Sequence, residues 1–213
     1  PREGVVATEG GDSTTEDRTA EAREQFTVRI RCVAGKSLAP VASKSCLDLF
    51  ETNMAEMYQR SSWGLDLRKK ADEFRHERAR FLLLEKVDAG NMEKSVELMG
   101  ESSEGKNELL AFGHFRFEPD DDDHPKLEVL YLYELQVSPL YHRRGLGQKL
   151  MSIMEDVAKK RGMKKVVLTV FKANVAAMTF YKDGMVYGVD ETSPSKFGED
   201  ADYEILSKAI DGV

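Results

Sequence analysis

The segment His142-Arg143-Arg144-Gly145-Leu146-Gly147-Gln148 concentrates residue types that handle ligands. Two glycines one residue apart let a backbone approach a ligand closely. A helix beginning there adds unpaired N–H groups and the positive end of its dipole. A diphosphate is the natural occupant of such a turn. The spacing is neither GxxxxGK(S/T) nor a complete GxGxxG, which disfavours a P-loop or a dinucleotide fingerprint. The same residues also suit a plain strand-to-helix turn whose arginines are merely solvated. A second centre is Glu134, the only carboxylate between Val129 and Val137. In the apolar and aromatic run VLYLYELQV it reads either as a base or as a strand glutamate facing solvent or a basic neighbour. Strict alternation puts Tyr131 and Tyr133 on one face of that strand and Glu134 on the other.

The remaining chemistry is narrowed by composition. The chain has 213 residues, 31 Lys and Arg against 38 Asp and Glu, and a net charge of −7, with 32% of residues charged and 41% apolar. That describes an acidic globular chain long enough to bury a sizeable core. Affinity for a phosphate backbone comes from Lys and Arg, so the balance argues against direct nucleic-acid binding and favours a cationic partner. No apolar run approaches the roughly 18 to 20 residues of a bilayer span, and no apolar segment follows a basic one at the start. Neither membrane insertion nor secretion is expected. Cys32 and Cys46 are too few for a disulfide framework, and no CxxC or Cys/His cluster supports a metal. Reduced thiols and no metal cofactor are the expectation.

These residues need elements to hold them. Residues 1–24 are Gly, Thr, Ser, Glu and Asp with little apolar periodicity and read as a flexible extension, leaving 25–213 for one domain. Phe26, Val28, Ile30 and Cys32 alternate as a first strand. After Pro40, the spacing of Leu47, Phe50, Met54, Met57 and Tyr58 predicts a helix with one buried face. Trp63-Gly64 breaks it, and Asp66 caps a short charged helix ending near Phe74. Residues 80–87, 109–118 and 127–137 read as strands. Residues 88–106 read as a surface loop, and Asp120, Asp121, Asp122 and Asp123 as part of an acidic hairpin loop. Leu146, Leu150, Ile153, Met154 and Val157 mark an amphipathic helix ending near Gly162. A doubly buried strand at 166–171, a helix from Asn174 to Lys182 and a strand from Tyr203 to Ile210 complete the chain.

The order strand, Gly-containing turn, helix, strand, Asn, helix, Phe-Tyr, Gly resembles the acetyl-CoA-binding half of the GNAT acetyltransferase superfamily. It runs here through Leu135-Gln136-Val137, Arg143 to Gln148, VVLTVF at 166–171, Asn174, Phe180-Tyr181 and Gly184. His142 departs from the pattern, standing where Gln or Arg is usual. NMAEMYQRSSWG, AFGHFRFE, VLYLYELQV, KKVVLTVFKAN, DETSPS and GEDADYEILS extend the likeness. These blocks are similar to the NatD group, the N-alpha-acetyltransferases that modify histone N-termini.

The resemblance implies a GNAT fold of α/β (α+β) class, a central, mixed, mostly antiparallel twisted sheet flanked by helices. It implies acetyl-CoA as cosubstrate and the tails of histones H-four and H-two-A, beginning Ser-Gly-Arg-Gly, as partners of a monomer in nucleus and cytoplasm. Glu134 matches the catalytic glutamate. An α-amine titrates near 8 and a lysine near 10.4, so at pH 7 the α-amine is easier to neutralise by roughly 2.5 units, about 3.4 kcal/mol. By resemblance, backbone groups of Leu135, Gln136 and Val137 meet the pantetheine arm. Arg143, Arg144, Gly145, Leu146, Gly147 and Gln148 meet the diphosphate, and a β-bulge brings Tyr131, Tyr133 and Glu134 to one site. Asn174 reaches the cofactor or simply caps its helix. Tyr58, Trp63, Tyr131, Tyr133, Thr169, Thr192 and Tyr203 line the peptide site, with Glu118 as an acidic contact. Tyr181 stands where relatives place the acid for the departing thiolate, or packs as an aromatic. Rival readings are a lysine or small-amine acetyltransferase and a silent acyl-CoA or histone-binding module.

Overall fold

The computed structural model describes residues 27–87, 107–120 and 128–210; the extension expected at 1–24, the loop at 88–106 and Asp121 to Asp123 lie outside them. The strands are β1 (Thr27–Ala34), β2 (Arg80–Val87), β3 (Leu109–Pro119), β4 (Glu128–Val137), β5 (Lys165–Phe171), β6 (Gly188–Val189) and β7 (Tyr203–Ala209). They form one sheet in the order β1-β2-β3-β4-β5-β7-β6. Every neighbouring pair is antiparallel except β4 and β5, which run parallel. The expected mixed, mostly antiparallel sheet is present. Helices α1 (Pro40–Arg60), α2 (Leu67–Phe74), α3 (Leu146–Lys160) and α4 (Val175–Thr179) flank it.

Alternation along the strands divides the interior into two clusters. Phe81 and Leu83 of β2 join Phe112 of β3, Cys46 and Phe50 of α1 and Phe74 of α2. Leu82 and Leu84 point the other way, toward Phe115, Leu130, Leu132 and Leu168 and toward Leu150, Met151 and Met154 of α3. Each of these large side chains gains about 1.5–3 kcal/mol from burial, and together they fix which helix covers which face. The periodicities read from the sequence mark these same faces.

Two departures from the expected elements occur near the chain's end. The helix expected from Asn174 to Lys182 stops at Thr179 and widens into a π turn, Phe180–Gly184, where the Met185 N–H donates to the Phe180 carbonyl. The two-residue β6 was not expected; it pairs with β7, which lies between it and β5. So short a strand has no periodicity to read.

Candidate active site

A one-residue bulge sets the geometry of β4. His114 faces Glu134 and Phe115 faces Leu132, leaving Tyr133 as the extra residue. A single inserted residue reverses the alternation that follows it. Leu130, Leu132, Leu135 and Val137 therefore all pack in the α3 cluster, whereas Glu134 joins the side of Tyr131 and Tyr133, bonded to α2 on the opposite face. Beyond the bulge β4 also leaves its parallel neighbour. Pairing with β5 ends at Leu132 and Leu168, although the strands run on to Val137 and Phe171.

The separating strands open a cleft of ≈ 360 Å³. Among the expected site residues, Tyr58, Trp63, Tyr131, Tyr133, Leu135, Gln136, Thr169, Asn174 and Tyr181 line it. The Tyr131 and Thr169 hydroxyls are 2.6 Å apart, and the Tyr133 hydroxyl donates to Glu118 at 2.8 Å. Glu118 thus reaches the site through Tyr133 and has Arg116 Nη1 at 3.7 Å. Burial holds both tyrosine hydroxyls above their ordinary pKa, so both keep their protons at neutral pH. Tyr203 stands behind the lining, its ring 5.2 Å from that of Trp63. Thr192 is turned inward, with its N–H and hydroxyl both donating to Asp190. Asp120, the described member of the acidic run, is 2.7 Å from Lys165.

Glu134 is buried just behind the cleft wall, 4% exposed. One carboxylate oxygen accepts from Lys70 Nζ and the other from Gln136 Nε2, each at 2.8 Å. Burial pushes its pKa up, while Lys70 and Gln136 pull the other way. Lys70 also donates to Glu73, at 3.0 Å and 3.2 Å, and both residues line the cleft. Burial disfavours the Lys70 ammonium, but Glu134 and Glu73 outweigh it and its pKa is raised.

The ligand turn follows β4. Gly145, at φ 79°, caps α3 without a side-chain bond, and Arg143 adopts φ 60°. A left-handed arginine costs about 1–2 kcal/mol, which the surrounding turn must hold in place. His142, Arg143, Arg144, Gly145 and Gln148 are exposed, and Leu146 and Gly147 half-buried. The Arg144 guanidinium lies 5.3 Å from the centre of the Tyr141 ring. Val137 is less free than its neighbours, because its carbonyl accepts from Asn53 Nδ2 and lies 3.0 Å from His142 Nε2. Asn174 lines the cleft and also caps α4, accepting from the Ala177 N–H at 3.1 Å.

A profile of the acetyltransferase (GNAT) family matches residues 66–185. The chain belongs to the GNAT acetyltransferase family. Solved structures of the same fold include NAA60 of Arabidopsis thaliana with a bisubstrate analogue: 15% identical, TM-score 0.56, covering 88% of this chain and 100% of that one. The NatC complex bound to a Gag peptide and CoA is 14% identical, TM-score 0.56, covering 86% and 99%. PaiA N-acetyltransferase of Thermoplasma acidophilum in complex with coenzyme A is 18% identical, TM-score 0.52, covering 86% and 99%. As a GNAT enzyme the protein is an acyltransferase whose cosubstrate is acetyl-CoA. Among the described residues, no group of three or more His, Cys, Asp or Glu is placed to hold a metal.

Three residues of this acetyltransferase site were not singled out from the sequence. Lys70 and Glu73 sit in LRKKADEF, where nothing local separates the buried Lys70 from Lys69. Asn53 bonds Gln136 Oε1 and the Val137 carbonyl, both at 3.0 Å, tying α1 to the mouth of the splay. An Asn in an amphipathic helix one residue before the apolar Met54 was the available signal.

Proposed function

We propose that this acetyltransferase transfers acetyl from acetyl-CoA to the N-terminal serine amine of histones H-four and H-two-A, in the manner of the NatD group. The observation that supports an N-terminus best is the tied loop at the edge of the cleft. The α1–α2 loop is tied to the start of β7 by Ser62, whose N–H donates to Asp202 at 2.7 Å, with Trp63 packed between Phe171 and Tyr203. A cleft of ≈ 360 Å³ bordered by this tied loop suits the end of a chain begun by Ser and Gly better than its middle. NAA60 and NatC supply neighbours of the same fold.

The residues fit the cosubstrate. The unpaired stretch of β4 after Leu132 offers backbone groups to a pantetheine arm, and the uncapped start of α3 offers N–H groups to a diphosphate. Acetyl-CoA supplies a thioester carbonyl, and the protein must supply a neutral amine beside it. Glu134 takes up the amine's proton by way of the groups lining the cleft, since it does not face the cleft itself. Tyr58 and Trp63 bound the serine side, and Glu118, held by Tyr133, attracts the arginine of Ser-Gly-Arg-Gly. Tyr181, kept protonated by burial, lines the cleft as a hydrogen-bond donor to the departing thiolate, which takes its proton from the amine by way of Glu134. Attack is direct, since neither cysteine lines the cleft.

Ser-Gly-Arg-Gly-Lys peptides with free and with chemically blocked N-termini test the assignment. Acetylation confined to the free peptide is the expected result. Acetylation of the blocked peptide would assign lysine chemistry instead, and no turnover of either would overturn the histone assignment.

A further inference from the structure

The base of this reaction is a carboxylate that is almost inaccessible, so something must keep it usable. Lys70 Nζ stands between two carboxylates, 2.8 Å from Glu134 and 3.0 Å from Glu73. It also lies 4.9 Å from the centre of the Phe50 ring and 5.5 Å from that of Tyr58, inside the apolar side of α1. A lysine buried there for packing alone would be a poor choice, because an apolar side chain of the same length fills the space without desolvating a charge. The two carboxylates also differ in setting. Glu134 is behind the wall, whereas Glu73 lines the cleft and has a side chain 26% exposed.

We infer that Lys70 is the positioning residue of the base: its ammonium aims Glu134 and holds it as a carboxylate, and Glu73 shares that ammonium from the cleft side. This extends the proposed role of Glu134. The groups around the trio are Tyr58 on α1, Gln136 on β4, His114 on β3, Arg116 on β3 and Tyr181 on the π turn. Gln136 donates to Glu134, and Arg116 donates to the Glu73 carbonyl. His114, fully buried with no hydrogen-bond partner for either ring nitrogen, has Nδ1 3.6 Å from Glu73. Burial lowers its pKa, so it adds no charge at neutral pH. Tyr58 and Tyr181 are held protonated by burial, with Glu134 reinforcing it. Lys70 is thus the cation hydrogen-bonded to Glu134, and Glu73 the anion acting against it.

The two partners must therefore act with opposite sign. Removing the ammonium leaves a buried carboxylate whose proton is harder to lose, so the Glu134 midpoint rises. Removing the Glu73 charge leaves Lys70 to Glu134 alone, so the midpoint falls. Carboxyl carbon NMR titration of the intact protein, with Glu134 assigned through Glu134→Gln, reads this without any acyl acceptor. Lys70→Met is expected to raise the midpoint by about one pH unit or more, and Glu73→Gln to lower it. With an accepted amine at pH 7, Lys70→Met is expected to reduce kcat about tenfold or more while the acceptor KM stays within about twofold, and Lys70→Arg to restore most of kcat. An unmoved midpoint in Lys70→Met, or an intact kcat, overturns the inference. Should Lys70→Met not fold, Glu73→Gln decides, because a midpoint that fails to fall overturns it equally. If histone peptides are not acetylated but the opposed shifts appear, the substrate reading fails and the positioning role stands.

Discussion

Glu134, the proposed base, shows why a candidate is judged by its neighbours as well as by its type. Its two oxygens accept from Lys70 and Gln136. Glu134→Gln keeps the shape and loses the base, so kcat is expected to fall by about 100-fold or more while coenzyme A binding is unchanged. Unaltered turnover in a stopped thiol-release assay would remove Glu134 from the reaction. The position of Glu134 in an aromatic strand was plain from the sequence. Lys70 was not, because the partner that draws it inside is 64 residues away and no local pattern in LRKKADEF announces it. Tyr133 and Glu118 were each legible as polar residues near the site, but the bond between their side chains depends on the bulge. Thr192 was named as a peptide contact by resemblance alone; its hydroxyl bonds Asp190.

The long and strongly periodic elements were readable. In α1 the apolar spacing marks the side that buries Phe50, and in α3 it marks Leu150 and Met154. What could not be read by period alone was where the period breaks. Strict alternation separates Tyr133 from Glu134, and one unpaired residue brings them together. Helix α4 is the shortest of the four helices, with five residues and a single capping side chain. Asn174→Ala is expected to cost about 1 kcal/mol in chemical denaturation, and Asn174→Ser to recover most of it. The same pair separates capping from cofactor contact. Asn174→Ser at wild-type stability with a raised KM for acetyl-CoA assigns the side chain to the ligand, whereas an unchanged KM leaves it only the cap.

At the scale of the whole molecule, a net charge of −7 favours a basic partner but says little about where that partner sits. The structure divides the charges. Arg143 and Arg144 stand exposed at the ligand turn, while Glu118 lies behind Tyr133 on the cleft side. Raising salt from about 50 to 300 mM shortens the reach of such charges, so the KM for a Ser-Gly-Arg-Gly-Lys peptide is expected to rise severalfold. A peptide with both basic residues replaced by neutral ones should show a much flatter response. Equal salt dependence for the two peptides would place the relevant attraction elsewhere.

The strand order carries a consequence for how the enzyme is made. β7 is the last described strand to be synthesised, yet it occupies an interior place between β5 and β6, and the residue just before it, Asp202, anchors the loop at the cleft's edge. Domains generally fold as units. The bulge, the Lys70 bridge and the glycine turn are therefore expected to settle only once residues 202–209 have left the ribosome and β7 has joined β5 to β6. Truncation before Asp202 is expected to abolish activity together with the fold, not to leave a catalyst with a looser edge.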